Sequence, residues 1–268
     1  MVLKKKKINK QKKNITNILI CLILIVASLN FFLNLLDKKN KIKNFVFNKV
    51  NNTKYNNSEH KFWSNEIKKG GYILYFRHAF REDGENSKGD FFNVWTYDAL
   101  ELDKNYNTKD SFVSKATCLT ENGKILAKTI GEYFKVFKIN ASKVISSPSC
   151  RSKQHAELSF SKIDRFYNQL VHYGPWDEKI SVFEENIKKI LINEQPLGAN
   201  NTIIVAHNGV MSKNIFDDYP LDISFYLKQG GFYLIKIKNE KIILKHKFNE
   251  FYEFSNTLLT RPEDIEKF

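Results

Sequence analysis

Two arginines and two histidines in this chain of 268 residues stand where apolar runs give out. Arg77-His78 closes GGYILYFRHA, Arg151 follows VISSPSC, and His207 follows TIIVA. A phosphoryl group is dianionic, and its transfer spreads charge over the equatorial oxygens, which a guanidinium fork meets with paired hydrogen bonds. A neutral imidazole nitrogen is a competent nucleophile near neutral pH and yields a phosphohistidine that water can cleave. The other ring nitrogen then needs an acceptor, commonly a backbone carbonyl, to fix the tautomer. That route needs no metal and no cofactor. His78 and His207 could instead ligate zinc, but the flanking arginines would repel a cation. Taken singly, His207 would be an ordinary strand-end histidine and Arg151 a solvated helix residue; it is the joint placement that points to phosphate chemistry.

For these groups to meet, their strands must lie side by side with carboxyl ends at one edge, which is where ligands bind in open parallel sheets. Strands at Tyr72–Phe76, Val144–Ser147 and Thr202–Ala206 alternate with helical patterns, a sign of an α/β sheet with parallel members. A short helix is expected around Glu59–Lys69. Another follows the cap-like Thr120 in ILAKTIGEYFKVF, a third holds Arg151 and Ala156, and a fourth spans Ile180–Ile192. Phe232–Ile237 and Lys241–Phe248 read as a closing hairpin around Asn239-Glu240. The stretch from Arg81 to Thr117 has no clear period and reads as a long excursion of the kind that forms lids. The expected fold is three-layer α/β/α with a mostly parallel central sheet, preceded by one N-terminal transmembrane helix.

The charge is unevenly placed. Of the net +14, residues 1–54 supply +12 through thirteen lysines against the single acid Asp37, leaving about +2 for the rest. A domain that nearly neutral lacks the basic face non-specific nucleic-acid binding requires. Residues 17–36 carry no charge and match the length a helix needs to cross an apolar core of about 30 Å. The chain is therefore divided into a basic tail (1–16), a membrane helix (17–36), a polar linker (37–58) and a domain (59–268). A cleaved signal peptide is the rival reading of the apolar run, with Ser28 as the small cleavage residue. A single-pass anchor would leave the tail cytoplasmic and the domain extracytoplasmic, in the periplasm of a bacterium. Cys118 and Cys150 fit either a disulfide in an oxidising compartment or two buried thiols.

Four blocks, GGYILYFRHA, CLTENGKILAKTIGEYF, VISSPSCRSKQHAELSF and TIIVAHNGVM, resemble the histidine phosphatase superfamily, whose members include phosphoglycerate mutases and acid phosphatases. The resemblance runs from about Phe62 to Phe248. It implies that His78 is the nucleophile, that Arg77 and Arg151 hold the phosphoryl oxygens, and that His207 completes the pocket. Arg81 coincides with a second arginine of the acid-phosphatase pattern and would add a phosphate contact. The proton donor stays open: acid-phosphatase relatives place an Asp where Asn208 stands, whereas mutase-like relatives place a Glu in a window that here holds Asp177 and Glu178. Glu82 and Asp83 compete. The membrane segment is similar to a bacterial branch that includes the phosphatase of lipopolysaccharide core heptose phosphate. The resemblance thus implies a metal-independent phosphomonoesterase acting on a phosphorylated small-molecule, lipid-linked or sugar substrate. A phosphomutase, or a weak relative that only binds a phosphorylated ligand, are the alternatives.

Overall fold

Gly70 and Gly71 set the entry to the central strand, with φ of 80° and 85°. A side chain on Gly70 would stand 2.1 Å from the carbonyl oxygen of Ala199, so only glycine lets the chain pass there and begin the strand. The computed structural model describes residues 58–81, 118–171 and 179–259, and nearer the start residues 30, 33, 34, 36, 37, 40 and 41. The chain divides into two compact units, Met1–Asn44 and Phe45–Phe268. In the first, the described residues are helical, and Lys41 pairs with Asp37 at 2.9 Å on an exposed face. The apolar run 17–36 and the linker fall largely outside the described residues, among which no helix is long and apolar enough to cross a membrane.

In the second unit the elements are α1 (Ser58–Lys69), β1 (Ile73–Arg77), α2 (Glu121–Val136), β2 (Ala141–Ser146), α3 (Cys150–Phe160), β3 (Arg165–Phe166), α4 (Ile180–Asn193), β4 (Asn201–Ala206), β5 (Phe232–Lys238), β6 (Lys241–Phe248) and α5 (Phe251–Leu258). One six-stranded sheet runs in the order β3-β2-β4-β1-β5-β6. Strands β3, β2, β4 and β1 are parallel, and β5 and β6 join antiparallel. The hairpin turn is made by Asn239 and Glu240, both with positive φ, the conformation a two-residue hairpin loop needs.

Alternation along β1 assigns its side chains to two covered faces. Ile73 and Tyr75 pack with Ile204, Tyr233 and the α4 residues Phe183, Ile187 and Leu191. Phe76 faces the other way, against Phe134 of α2, Phe160 and His155 of α3, and Phe232. All six residues of β4 are buried, as a parallel strand with helices on both faces requires. Register shifts in the β5–β6 ladder between Leu234 and Ile235. That bulge turns Leu244 and Ile242 toward the α4 side and leaves Phe248 stacked on Phe232 and edge to face with Phe254 of α5. The edge strand β3 and the last helix α5 were not anticipated from the sequence: one is two residues long and the other a short run after the hairpin. The excursion at 82–117 lies outside the described residues.

Candidate active site

Register brings the candidate residues together. Arg77 of β1 pairs with Ala206 of β4, and Ser146 of β2 pairs with Val205, so the three adjacent parallel strands end level with one another. The next residues, His78, His207 and Ser147, leave that edge side by side. The amide of His78 donates to Ala206 O at 3.0 Å and that of Ser147 to Val205 O at 2.9 Å, extending the ladder by one step past each strand. The rings of His78 and His207 lie 5.2 Å apart, edge to face.

His78 is 3% exposed. Its Nδ1 lies 2.8 Å from Ala79 O. A carbonyl can only accept, so Nδ1 carries the proton and the Nε2 lone pair is free for chemistry. Burial first, and then the Arg151 guanidinium, with smaller contributions from Arg77 and Arg81, hold its pKa well below 6.5. The ring is therefore neutral near pH 7. Ala79 is itself held, its amide donating to His155 Nδ1 at 3.1 Å. His155, four residues after Arg151 on the same buried face of α3, was missed in the sequence reading; its spacing from Arg151 was the available signal.

His207 is equally buried, and its Nε2 sits among three hydroxyls, Ser149 Oγ at 3.0 Å, Ser147 Oγ at 3.1 Å and Ser152 Oγ at 3.4 Å. A hydroxyl can donate or accept, so this cradle suits the ring in either protonation state. The backbone oxygen of His207 accepts from Tyr75 Oη at 2.8 Å, which locks the strand exit from below. None of these partners was expected beforehand.

Arg151 lies in the first turn of α3 and is 1% exposed, within electrostatic reach of His78. Arg77 is half-buried; its Nη1 donates to Leu227 O at 2.6 Å and to Tyr226 Oη at 3.2 Å, and the Tyr226 ring lies 5.3 Å from the guanidinium carbon. Arg81 bridges to Leu119, and a disulfide joins the adjacent Cys118 to Cys150, with Cα atoms 5.0 Å apart. The pair left open by the sequence is thus a cross-link that fastens the Arg81 segment to the start of the helix bearing Arg151. Asp177, Glu178, Glu82 and Asp83 lie outside the described residues. Among the described residues no group of three or more His, Cys, Asp or Glu is placed to hold a metal ion.

Buried neutral imidazoles make stability depend on pH in a fixed direction. Burial lowers His155 to about 3, and burial with the neighbouring His60 lowers His246 to about 3. In the unfolded chain both take up a proton near 6.5, so below that pH the unfolded state binds more protons and folding weakens. The loss begins as pH falls through 6.5 and continues toward 3. At pH 5, above most carboxylate titrations, each ring should cost of the order of 1 to 2 kcal/mol. Urea midpoints measured at pH 7.5 and 5 should fall accordingly, and His155→Gln, which keeps an acceptor for Ala79, should flatten the slope. Equal midpoints at the two pH values would refute this.

No protein-family model matches the chain, and no curated protein matches it. Among solved structures, a phosphoglycerate mutase from Bacillus anthracis str. Sterne superposes with a TM-score of 0.50 at 13% identity, over 72% of this chain and 99% of that one. A phosphoserine phosphatase from Entamoeba histolytica, in complex with 3-phosphoglyceric acid, matches at 0.45 and 14% identity, over 68% and 98%. The protein histidine phosphatase SixA, complexed with tungstate, matches at 0.43 and 11%, over 66% and 96%. These structures belong to the histidine phosphatase superfamily. At 13% identity the likeness to the mutase is one of fold alone.

Proposed function

We propose that the chain is a phosphomonoester hydrolase that works through a phosphohistidine on His78 without a metal. The observation that carries the reading is the His78 Nδ1 contact with Ala79 O beside the buried Arg151, which together make a neutral, oriented nucleophile next to a fixed cation. Nε2 attacks phosphorus, the P–O bond to the leaving group breaks, and the departing oxygen takes a proton. Water then attacks the phosphohistidine, the P–N bond breaks, and His78 is restored as inorganic phosphate leaves. Arg77, Arg151 and Arg81 neutralise the equatorial oxygens, and His207, cradled by three serines, adds its N–H or charge as they build up. The proton comes from Asp177 or Glu178, or from Glu82 or Asp83. Hydrolysis of an aryl phosphate in the presence of a chelator tests the reading, since that leaving group barely needs protonation. Tight binding of inorganic phosphate without turnover would favour the reading as a module that binds phosphorylated ligands.

The apolar run and the disulfide support an extracytoplasmic location, because cross-linked cysteines persist in oxidising compartments. The domain is held by residues 17–36 on the extracytoplasmic side of a membrane, where phosphorylated sugars and lipid-linked sugars are within reach, and it binds no nucleic acid. The resemblance to the lipopolysaccharide branch makes a sugar phosphate the first substrate class to assay. The full-length protein should stay with membranes through alkaline carbonate extraction. Its recovery in the soluble fraction would contradict the anchor.

A further inference from the structure

The position directly after His207 is filled by Asn208, where acid-phosphatase relatives place a proton-donating Asp. Both ends of its side-chain amide meet one residue. Nδ2 donates to Leu227 O at 2.8 Å, and Oδ1 accepts from Leu227 N at 2.9 Å. This pairing fixes which end of the amide is which, since a backbone N–H can only donate and a C=O can only accept. Leu227 O is also the oxygen that accepts from Arg77 Nη1 at 2.6 Å. The preceding Tyr226 lies over the same guanidinium and offers it a second contact. Leu227 itself is fully buried, and Gly230 N and Gly231 O bind back to the exit of β1 at Arg77 and His78.

We propose that Asn208 is a positioning residue: by clamping the Leu227 peptide from both sides it holds that carbonyl and the Tyr226 ring where they aim the Arg77 guanidinium at the phosphoryl group. The proposal rests on the reading of Arg77 as a phosphate contact. A carboxylate could not substitute. Aspartate at 208 would keep the acceptor for Leu227 N but face Leu227 O with a second acceptor, pushing away the carbonyl on which Arg77 leans. An amide is the side chain that supplies one donor and one acceptor in that spacing. The residue that removes the acid from this position is thereby the one that sets an arginine.

The test uses the protein with inorganic phosphate as probe, followed by calorimetry, alongside turnover of an aryl phosphate. Asn208→Asp and Asn208→Ala should each weaken phosphate binding about tenfold and raise KM more than they lower kcat, whereas a proton donor supplied by Asn208→Asp would raise kcat. In an Arg77→Ala background Asn208→Asp should add less than about twofold, because both changes act through one guanidinium. Tyr226→Leu, at an exposed position that does not threaten folding, should weaken phosphate about threefold. Additive effects of Asn208→Asp and Arg77→Ala, or a gain in kcat on Asn208→Asp, would overturn the clamp, as would phosphate binding indifferent to Arg77→Ala. Phosphate binding that depends on Arg77 and Asn208 in a protein without turnover would uphold the clamp and defeat the hydrolase reading.

Discussion

His78→Ala is expected to remove turnover of any phosphomonoester, by a factor on the order of 10⁴ or more, which is the scale on which enzymes lose activity with their nucleophile. The size follows from the geometry. His78 presents a neutral ring whose Nδ1 is tied to Ala79 O, so its Nε2 is the nitrogen left to attack. The neighbouring His207 cannot readily take its place, because its Nε2 is enclosed by the hydroxyls of Ser147, Ser149 and Ser152. kcat/KM of the variant on an aryl phosphate, with urea unfolding as a check that the fold survives, provides the measurement. His207→Ala should be less severe, since it takes away charge stabilisation and leaves the nucleophile. A His78→Ala enzyme retaining even a few per cent of parental kcat/KM would contradict the assignment.

Arg151→Lys carries the second large effect. The guanidinium is almost wholly buried at the start of α3, within electrostatic reach of His78, so its charge is little screened and its direction is set by packing. Lysine keeps the charge but is a point donor on a flexible stem and cannot fork to two oxygens. The loss should be about 2 to 4 kcal/mol of transition-state stabilisation, or roughly thirtyfold to a thousandfold in kcat/KM. Because the charge persists, the pKa of His78 should hardly move, and the acid limb of the pH profile should keep its midpoint while the plateau drops. A lysine variant with parental kcat/KM would show that Arg151 serves only the packing of α3.

How far the sequence foretold this site depends on the kind of signal each residue leaves. Strands β1 and β4 were legible because strands covered on both faces are continuous apolar runs, and Arg77-His78 and His207 stood out as the first polar residues beyond them. Their direct parallel pairing, with β2 on the far side of β4, follows from the alternation of strands and helices, and the register then puts Ala206 opposite Arg77. The helix bounds came within a few residues because Thr120 caps α2 through a bond to Gly123 N, a local device that local sequence records. What stayed hidden was pairing over long separations. The serine cradle joins positions 58 and 60 residues apart, and the Asn208–Leu227 clamp joins a strand exit to a loop with no periodic pattern. The disulfide was likewise undecidable from cysteine spacing alone. His155 is the exception that could have been found, as a buried-face partner of Arg151 one helical turn on.

The central claim is that the phosphoryl group passes through His78, and trapping it there tests the claim most directly. The wild-type protein would be mixed with a radiolabelled phosphomonoester, quenched within milliseconds, digested and mapped. The account predicts an acid-labile, base-stable phosphoryl group on the peptide carrying His78, formed in a burst no larger than one per chain and absent from His78→Ala. A stable phosphoryl group on Ser147, Ser149 or His207, or steady turnover with His78 never labelled, would contradict it and leave the likeness to phosphotransferring enzymes as one of fold alone.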